Sequence, residues 1–368
     1  MKRVKIYGAG SIGNHLAQAC RRIGWDVVMC DVDPLALKRT KEQIYPSRYG
    51  RWDEGIKLYT VNDVPKENFD AIFIGTPPDT HLKIALEILK EKPRLIQIEK
   101  PLCPPSLEMA EEFYKKVTDA NVIVCVGFDH IVSRSVQFVE NILKENILGE
   151  IETIDVEFRE HWSGIFAAHP WLSGPQDTYL GFWKRGGGAS SEHSHATNLW
   201  QHFADILGIG KIIEINATMQ MVTDKNVDYD KICALQVRTE KGLMGRIIQD
   251  VVTKPSRKWA RIQGTKGYLE WGCSWSPDGD IVIYQRQGGN KEEISISKKR
   301  PDDFFEEILH INDLLEGKID KNNSAISLER GLDTALVIAA AHHSRIEKQT
   351  MKIDYSKGYY ISSITPLL

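Results

Sequence analysis

No cysteine pair of regular spacing occurs anywhere in the 368 residues. Cys20, Cys30, Cys103, Cys125, Cys233 and Cys273 are scattered, mostly inside apolar runs such as VVMC and IVCVG. Without CxxC pairs or the dense spacing of small secreted scaffolds, they are expected to be buried free thiols in a reducing cytoplasm. Long apolar runs are missing too. The longest uninterrupted one, residues 335–341, falls far short of the roughly 20 residues of a membrane span. The opening MKRVKIYGAG leads straight into a strand pattern, without the apolar segment of a signal peptide. No membrane partner is therefore expected. A basic excess is also absent: 47 Lys and Arg against 50 Asp and Glu leave a net charge of −3. The electrostatic footprint of nucleic-acid binding is missing with it. Short basic clusters such as Lys298-Lys299-Arg300 are expected to be solvated turns. No internal repeat or low-complexity segment interrupts the chain.

What is present is enough for two domains: 42% of residues are hydrophobic, and the length fits two ordinary cores. Residues 1–128 alternate two patterns. The strand-like runs VKIYG, DVVMCD, FDAIFIGTP, RLIQIEKP and NVIVCVGF are separated by helical spacing at 12–23, 34–43, 81–90 and 106–119. In 81–90, for example, Leu82, Ala85, Leu86 and Leu89 mark one helix face, and Pro34 suits a first helical turn. Such alternation predicts an α/β fold with a doubly wound parallel sheet. Ligands of such sheets bind beyond the carboxyl ends of the strands. From about residue 131 the rhythm changes. A helix at 135–145 is followed by long strand-like runs with short links, from IETIDVEFRE to DIVIYQRQ, and two helices follow at 303–315 and 328–347. This predicts an α+β domain, residues 129–368, with a large open, mainly antiparallel sheet.

Three motifs fall at the predicted carboxyl strand ends. GAGSIG, residues 8–13, lies between a strand and a helix, the context a dinucleotide-binding GxGxxG turn requires. Gly8 permits the tight turn, Gly10 lets a pyrophosphate approach the backbone, and Gly13 lets the helix pack closely. The helix start, with Ser11 and Ile12, offers N–H groups and a positive dipole end to phosphates. Asp31 closes the next strand, where a carboxylate accepts from ribose hydroxyls and repels a 2′-phosphate, favouring NAD over NADP. TPPDTH follows the third strand and brings Thr76, Pro77 and His81 to the same edge, with Asp79 or Thr80 as a helix cap. EKP ends the next strand and points Lys100, beside Glu99, into the ligand crevice.

Taken together, GAGSIG, Asp31, TPPDTH and EKPL resemble the Gfo/Idh/MocA family, which includes glucose–fructose oxidoreductase, inositol dehydrogenases and many nucleotide-sugar dehydrogenases. The resemblance extends over most of the chain. GGGASSEHSHATNLWQHFADILG (residues 186–208) is similar to the family's glycine-rich segment, and RIQGTKGYLEW (261–271) to its late strand–turn–strand. It implies a Rossmann domain, a second domain whose sheet covers the active site, a homodimer or homotetramer, and a tightly held nicotinamide. The EKP match makes Lys100 the residue expected at the reacting hydroxyl or carbonyl. The family commonly carries Asp-x-Gly-x-His after the glycines. Here Glu192 takes the Asp position and Ala196 the His position, so His195, one residue earlier, is the expected partner of Lys100, with His193 as a further substrate contact. Glu192, His193, His195 and His202 offer metal-ligand chemistry, but HxH on one helix diverges, and no metal is expected. The aromatic-rich insert of residues 159–185 is expected to wall the pocket, with Arg159, Trp162 and Trp183 against a sugar ring. The resulting expectation is an NAD-dependent oxidoreductase acting on a ring hydroxyl or ketone of a sugar, inositol or nucleotide sugar. A lyase or hydrolase that recycles NAD internally, and a non-catalytic dinucleotide sensor, stay open beside it.

Overall fold

The computed structural model describes residues 1–299 and 301–367. Arg300 of the basic cluster thus lies outside the described residues. The chain divides into two units: residues 1–103, 109–129 and 301–331 form the first, and residues 104–108, 130–300 and 332–368 the second.

In the first unit the chain runs β1 (Arg3–Tyr7), α1 (Ser11–Arg22), β2 (Asp26–Asp31), α2 (Pro34–Arg39), α3 (Tyr45–Tyr49), β3 (Ile56–Thr60), β4 (Ala71–Ile74), α4 (Pro78–Ile88), β5 (Leu95–Ile98), α5 (Ala110–Ala120) and β6 (Ile123–Val126). The six strands are parallel, in the order β3-β2-β1-β4-β5-β6. Every residue of β4 and β5 is buried, as a sheet covered on both faces requires. The register aligns the strand ends. Tyr7 pairs with Cys30 and with Ile74, Ile74 with Ile98, and Ile98 with Val126. Residues just beyond extend the ladder: the N–H groups of Gly8, Gly75, Glu99 and Gly127 donate to Cys30, Tyr7, Ile74 and Ile98, at 2.8–2.9 Å. Four turns therefore leave the sheet along one line.

Local details differ from the sequence expectations. Asp33 caps α2 by accepting from the Leu35 N–H, with Pro34 in the first turn. The expected helix 34–43 runs on through a widened turn, Thr40–Ile44, into α3. Helix α4 begins at Pro78 without a side-chain cap, which leaves Asp79 and Thr80 inside its first turn. The short edge strand β3 was not apparent in the hydrophobic pattern.

The second unit holds α6 (Arg134–Lys144), β7 (Ile151–Arg159), α7 (Trp162–Ala167), α8 (Ala189–Glu192), α9 (His195–Ile206), β8 (Ile212–Thr223), β9 (Asp228–Thr239), β10 (Met244–Asp250), β11 (Arg257–Gly264), β12 (Gly267–Ser276), β13 (Gly279–Arg286) and β14 (Lys291–Ser297). The chain then gives α10 (Asp302–Leu315), α11 (Leu328–Glu347), β15 (Met351–Ile353) and β16 (Ile364–Pro366). Ten strands form one sheet, ordered β14-β13-β12-β11-β7-β10-β9-β8-β15-β16. It is antiparallel except for the β7–β10 pair. Helix α10 belongs to the first unit and stacks Phe304 on His15 of α1, with ring centroids 4.6 Å apart. Residues 301–331 thus return to the first unit from beyond the boundary expected near residue 128, since an amphipathic stripe does not say which sheet it covers.

The first turn depends on glycine for steric reasons. A Cβ on Gly13 would lie 2.0 Å from the Gly8 carbonyl oxygen, and one on Gly8, at φ 103°, 2.6 Å from that of Gly75. Both obstacles are backbone and cannot swing aside. Gly13→Ala should therefore cost at least about 1–3 kcal/mol of folding stability, measurable by urea denaturation; a variant as stable as the parent would contradict this packing.

Candidate active site

The carboxyl edge of the first sheet gathers the predicted cofactor residues. Gly10 precedes α1 with no side-chain cap, and a Cβ there would meet nothing within 4 Å. Ser11 and Ile12 stand at the head of α1, whose first N–H groups no side chain caps. Asp31 shapes the same turn: its carboxylate accepts from the Ala9 N–H at 2.8 Å and the Asp33 N–H at 2.9 Å. Asn14 Nδ2 donates to the Gly10 carbonyl at 2.7 Å and to Thr40 Oγ1 at 3.1 Å, while the Thr40 hydroxyl donates to the Ala9 carbonyl. Arg48, which no sequence motif singles out, adds a cation. Its guanidinium donates to the Ser11 carbonyl at 2.9 Å and to Ser11 Oγ at 2.8 Å. An uncapped helix start, a bare glycine, an adjacent guanidinium and a carboxylate one strand over fit the phosphates and ribose of a dinucleotide.

The two neighbouring turns are clasped together. Thr76 is half-buried and Pro77 exposed. His81 is buried, with Nε2 2.7 Å from the Thr76 carbonyl oxygen and Nδ1 3.1 Å from that of Pro101. Burial pushes the imidazole down to about 4, against the pull of these carbonyls. The neutral ring carries one N–H and donates to one carbonyl at a time. Its nitrogens thus engage the protein's own backbone, so His81, expected among the cofactor contacts, is a clasp between TPP and EKP. Lys100 is half-buried, and Glu99 behind it is buried. Burial, with the charge of Asp129 adding to it, pushes Glu99 up to about 7, against the amide of Gln97 and the charge of Lys100.

The second unit places the GGGASSEHSHATN segment on α8 and α9, with a break at His193 and Ser194. Glu192 closes α8 and His195 opens α9; both are half-buried, whereas His193 is buried in the break. His195 joins a ring cluster, its centroid 4.7 Å from that of His130 and 6.0 Å from that of Phe158. Trp271 stacks on Phe158 at 6.1 Å, and His130 Nδ1 is 3.9 Å from Cys273 Sγ. His130 was not expected here, although it follows a strand run as the EKP lysine does. Other expected residues are engaged elsewhere. His202 Nε2 meets Glu140 Oε1 at 2.9 Å, away from any grouping with His195. Arg159 Nε donates to the buried Asp250 carboxylate at 2.6 Å, which raises its own pKa and pins β7 to β10. Trp183 Nε1 donates to Asp228 at 2.9 Å and its ring stacks on His342 at 4.5 Å. Trp162, half-buried, packs on the cluster of Ala189, Val227, Tyr229 and Val251. These three are parts of the unit's framework. Lys298 is likewise no solvated turn residue: its side chain is 9% exposed and ion-paired to the buried Asp280 at 2.9 Å.

Comparison with known proteins agrees with this geometry. Residues 2–128 match the model of the oxidoreductase family with an NAD-binding Rossmann fold, and residues 136–270 match the GFO/IDH/MocA C-terminal domain. The chain belongs to the Gfo/Idh/MocA family of oxidoreductases. A Schizosaccharomyces pombe chain, uncharacterized protein UNK4.17, is 23% identical over 314 residues, 78% of this chain and 73% of that one. Among solved structures, the WlbA dehydrogenase of Bordetella pertussis, in complex with NADH and UDP-GlcNAcA, is 20% identical with a TM-score of 0.70, over 96% of this chain and 99% of that one. The aldose-aldose oxidoreductase of Caulobacter crescentus is 16% identical with a TM-score of 0.73, over 96% and 99%. Among the described residues, no helix is long and apolar enough to cross a membrane.

The His81 clasp has a pH signature. A folded-state value of about 4 lies below the ordinary 6.5, so the stability this residue contributes is complete above about 6.5 and is lost as pH falls toward 4. Over that window it amounts to about 3 kcal/mol. His81→Asn should flatten this part of the stability-against-pH curve in urea titrations; an unchanged slope would rule the clasp out.

Proposed function

We propose that the chain is an NAD-dependent dehydrogenase or reductase. It moves hydride between a nicotinamide and a ring hydroxyl or ketone of a sugar, inositol or nucleotide sugar. The observation that carries this reading is Lys100, half-buried at the carboxyl end of β5, on the edge where the GAGSIG turn and Asp31 end their strands. The choice of NAD over NADP rests on Asp31, with the exposed Asp33 beside it, since two carboxylates repel a 2′-phosphate.

When bound, the nicotinamide supplies the acceptor or donor of hydride. The chain's residues supply the rest. Oxidising a secondary alcohol requires its O–H proton to leave as hydride leaves carbon, and the neutral amine of Lys100 takes that proton. In the reverse direction the ammonium polarises the carbonyl and returns the proton. We assign His195 and Glu192 to the substrate, His195 as hydrogen-bond partner of the reacting oxygen and Glu192 as the group that orients it or binds a neighbouring hydroxyl. His130 joins them by its contact with His195. Six free, buried cysteines support a reducing compartment such as the cytoplasm. A homodimer or homotetramer is part of the same reading.

Lys100→Met should abolish hydride transfer, a drop of at least about a thousandfold as expected for loss of a general acid–base group, while NAD affinity by calorimetry stays within about twofold. The parent should change absorbance at the reduced-nicotinamide band with at least one member of a panel of sugars, inositols and nucleotide sugars. Turnover retained in Lys100→Met, or none in the parent with cofactor bound, would overturn the reading. Asp31→Ala should weaken NAD by about tenfold and narrow its advantage over NADP.

A further inference from the structure

The glycine-rich segment leads into a helix that breaks at His193 and Ser194, and the neighbouring sheet supplies what the break removes. In an unbroken helix the Ser194 N–H would donate to the Ser190 carbonyl, four residues back. Here it donates to the Ser191 carbonyl at 3.2 Å, and the Ala196 N–H to that of His193 at 2.9 Å, three back in each case. The carbonyl of the buried Ser190 thus loses its helical donor. Gln249, fully buried on β10, provides another. Its Nε2 donates to the Ser190 carbonyl at 3.0 Å and to the His193 carbonyl at 2.7 Å, which uses both N–H groups of the amide. The front of α8 is held from the adjacent strand: the buried Asp230 of β9 accepts from the Ser190 N–H at 2.7 Å. The segment lies directly on that carboxylate, since a Cβ on Gly188, at φ 84°, would stand 2.0 Å from Asp230 Oδ1.

Neighbouring positions of the sheet hold the ring as well as the backbone. Gln249 pairs in register with Phe158 of β7, and the Phe158 ring packs on that of His195, with planes 21° apart. We propose that Gln249 is a positioning residue: by satisfying the two carbonyls on either side of Glu192, it keeps the helix broken there and starts α9 at His195, with that ring against Phe158 and His130. Without the amide, the Ser190 carbonyl would be stranded in a dry site. A continuous helix avoids that cost by returning the Ser194 N–H to it, and closing the helix in this way turns His195 off its ring cluster. The role rests on the reading of Glu192 and His195 as the groups that meet substrate, and deepens it by naming what fixes their pose.

The His195 imidazole reports its own pose. In histidine-labelled protein its ring resonance, assigned by its loss in His195→Gln, carries the ring-current displacement of Phe158 and His130. Gln249→Met removes both donors at nearly constant volume. The His195 resonance should then move toward the position of a free imidazole, while those of His15 and His81 stay. Where substrate is turned over, kcat should fall by about a hundredfold, the loss that a misplacement of about 1 Å brings, while NAD affinity by calorimetry stays within about twofold. Gln249→Asn, which keeps the amide and draws it back by one methylene, should fall between parent and Gln249→Met on both readouts. A purely structural role would lower the urea midpoint and leave the resonance and the kcat of the folded protein alone, and that result overturns the inference. If the parent turns over no sugar or polyol, the dehydrogenase reading fails alone and the His195 resonance decides. Should Gln249→Met not fold, Gln249→Asn is read in the same way: a displaced resonance supports the inference, and an unmoved one overturns it. If neither variant folds, Gln249 holds the fold rather than the pose of His195, and the inference is overturned as well.

Discussion

The contact between Gly13 and the Gly8 carbonyl determines where the rest of the nucleotide half can sit. It draws the start of α1 down onto the end of β1, so the helix's unbonded N–H groups open on the sheet edge. Asp31 then reaches across from β2 to the Ala9 N–H and fixes the turn from the other side. Because all six strands run in parallel and in register, no other edge is available for their loops. Glycine at two points thus converts a run of strands into a line of functional turns.

Charge is distributed unevenly along that line. The end near α1 is electropositive, from the helix dipole and the Arg48 guanidinium beside Ser11. The end near β2 is acidic, with Asp31 and Asp33. At the end of β5 and on α10, Glu99 and Glu307 are buried, and burial, with the charge of Asp129 adding to it, opposes the ionisation of both. A dinucleotide lying along the edge would meet cations at its phosphates and a carboxylate at its ribose.

How much of this the sequence disclosed depended on whether a residue type dictates its partner. Strand–helix alternation and the glycines did, because period and φ restrict them locally. The strands β3, β14, β15 and β16 did not; they are short or half-exposed and carry little apolar signal. The partners of Arg159 and Trp183 were not legible, because a charge or an indole does not announce a partner tens of residues away. Asp250, which holds Arg159, lies 91 positions on. Glu307 is a different case, since its signal was present. Phe304, Ile308, Ile311 and Leu315 form the apolar stripe of α10, and Glu307 falls on that stripe, one turn after Phe304 and one before Ile311. An acid in a core register implies a buried acid, though not the acid it would meet.

Buried charge is held in two ways. Some charges are paired: Lys5 with Glu91, Lys298 with Asp280, whose carboxylate also accepts from Ser135 Oγ at 2.6 Å, and Arg159 with Asp250. Pairs of this kind fix geometry, and breaking one leaves a stranded charge at a cost of about 3–5 kcal/mol. Behind Lys100 the partner bridging Glu99 and Glu307 is the Gln97 amide, which can satisfy an acid whether or not it is ionised. A charge held by a counter-charge resists titration, whereas acids held by an amide can gain or lose a proton with little rearrangement.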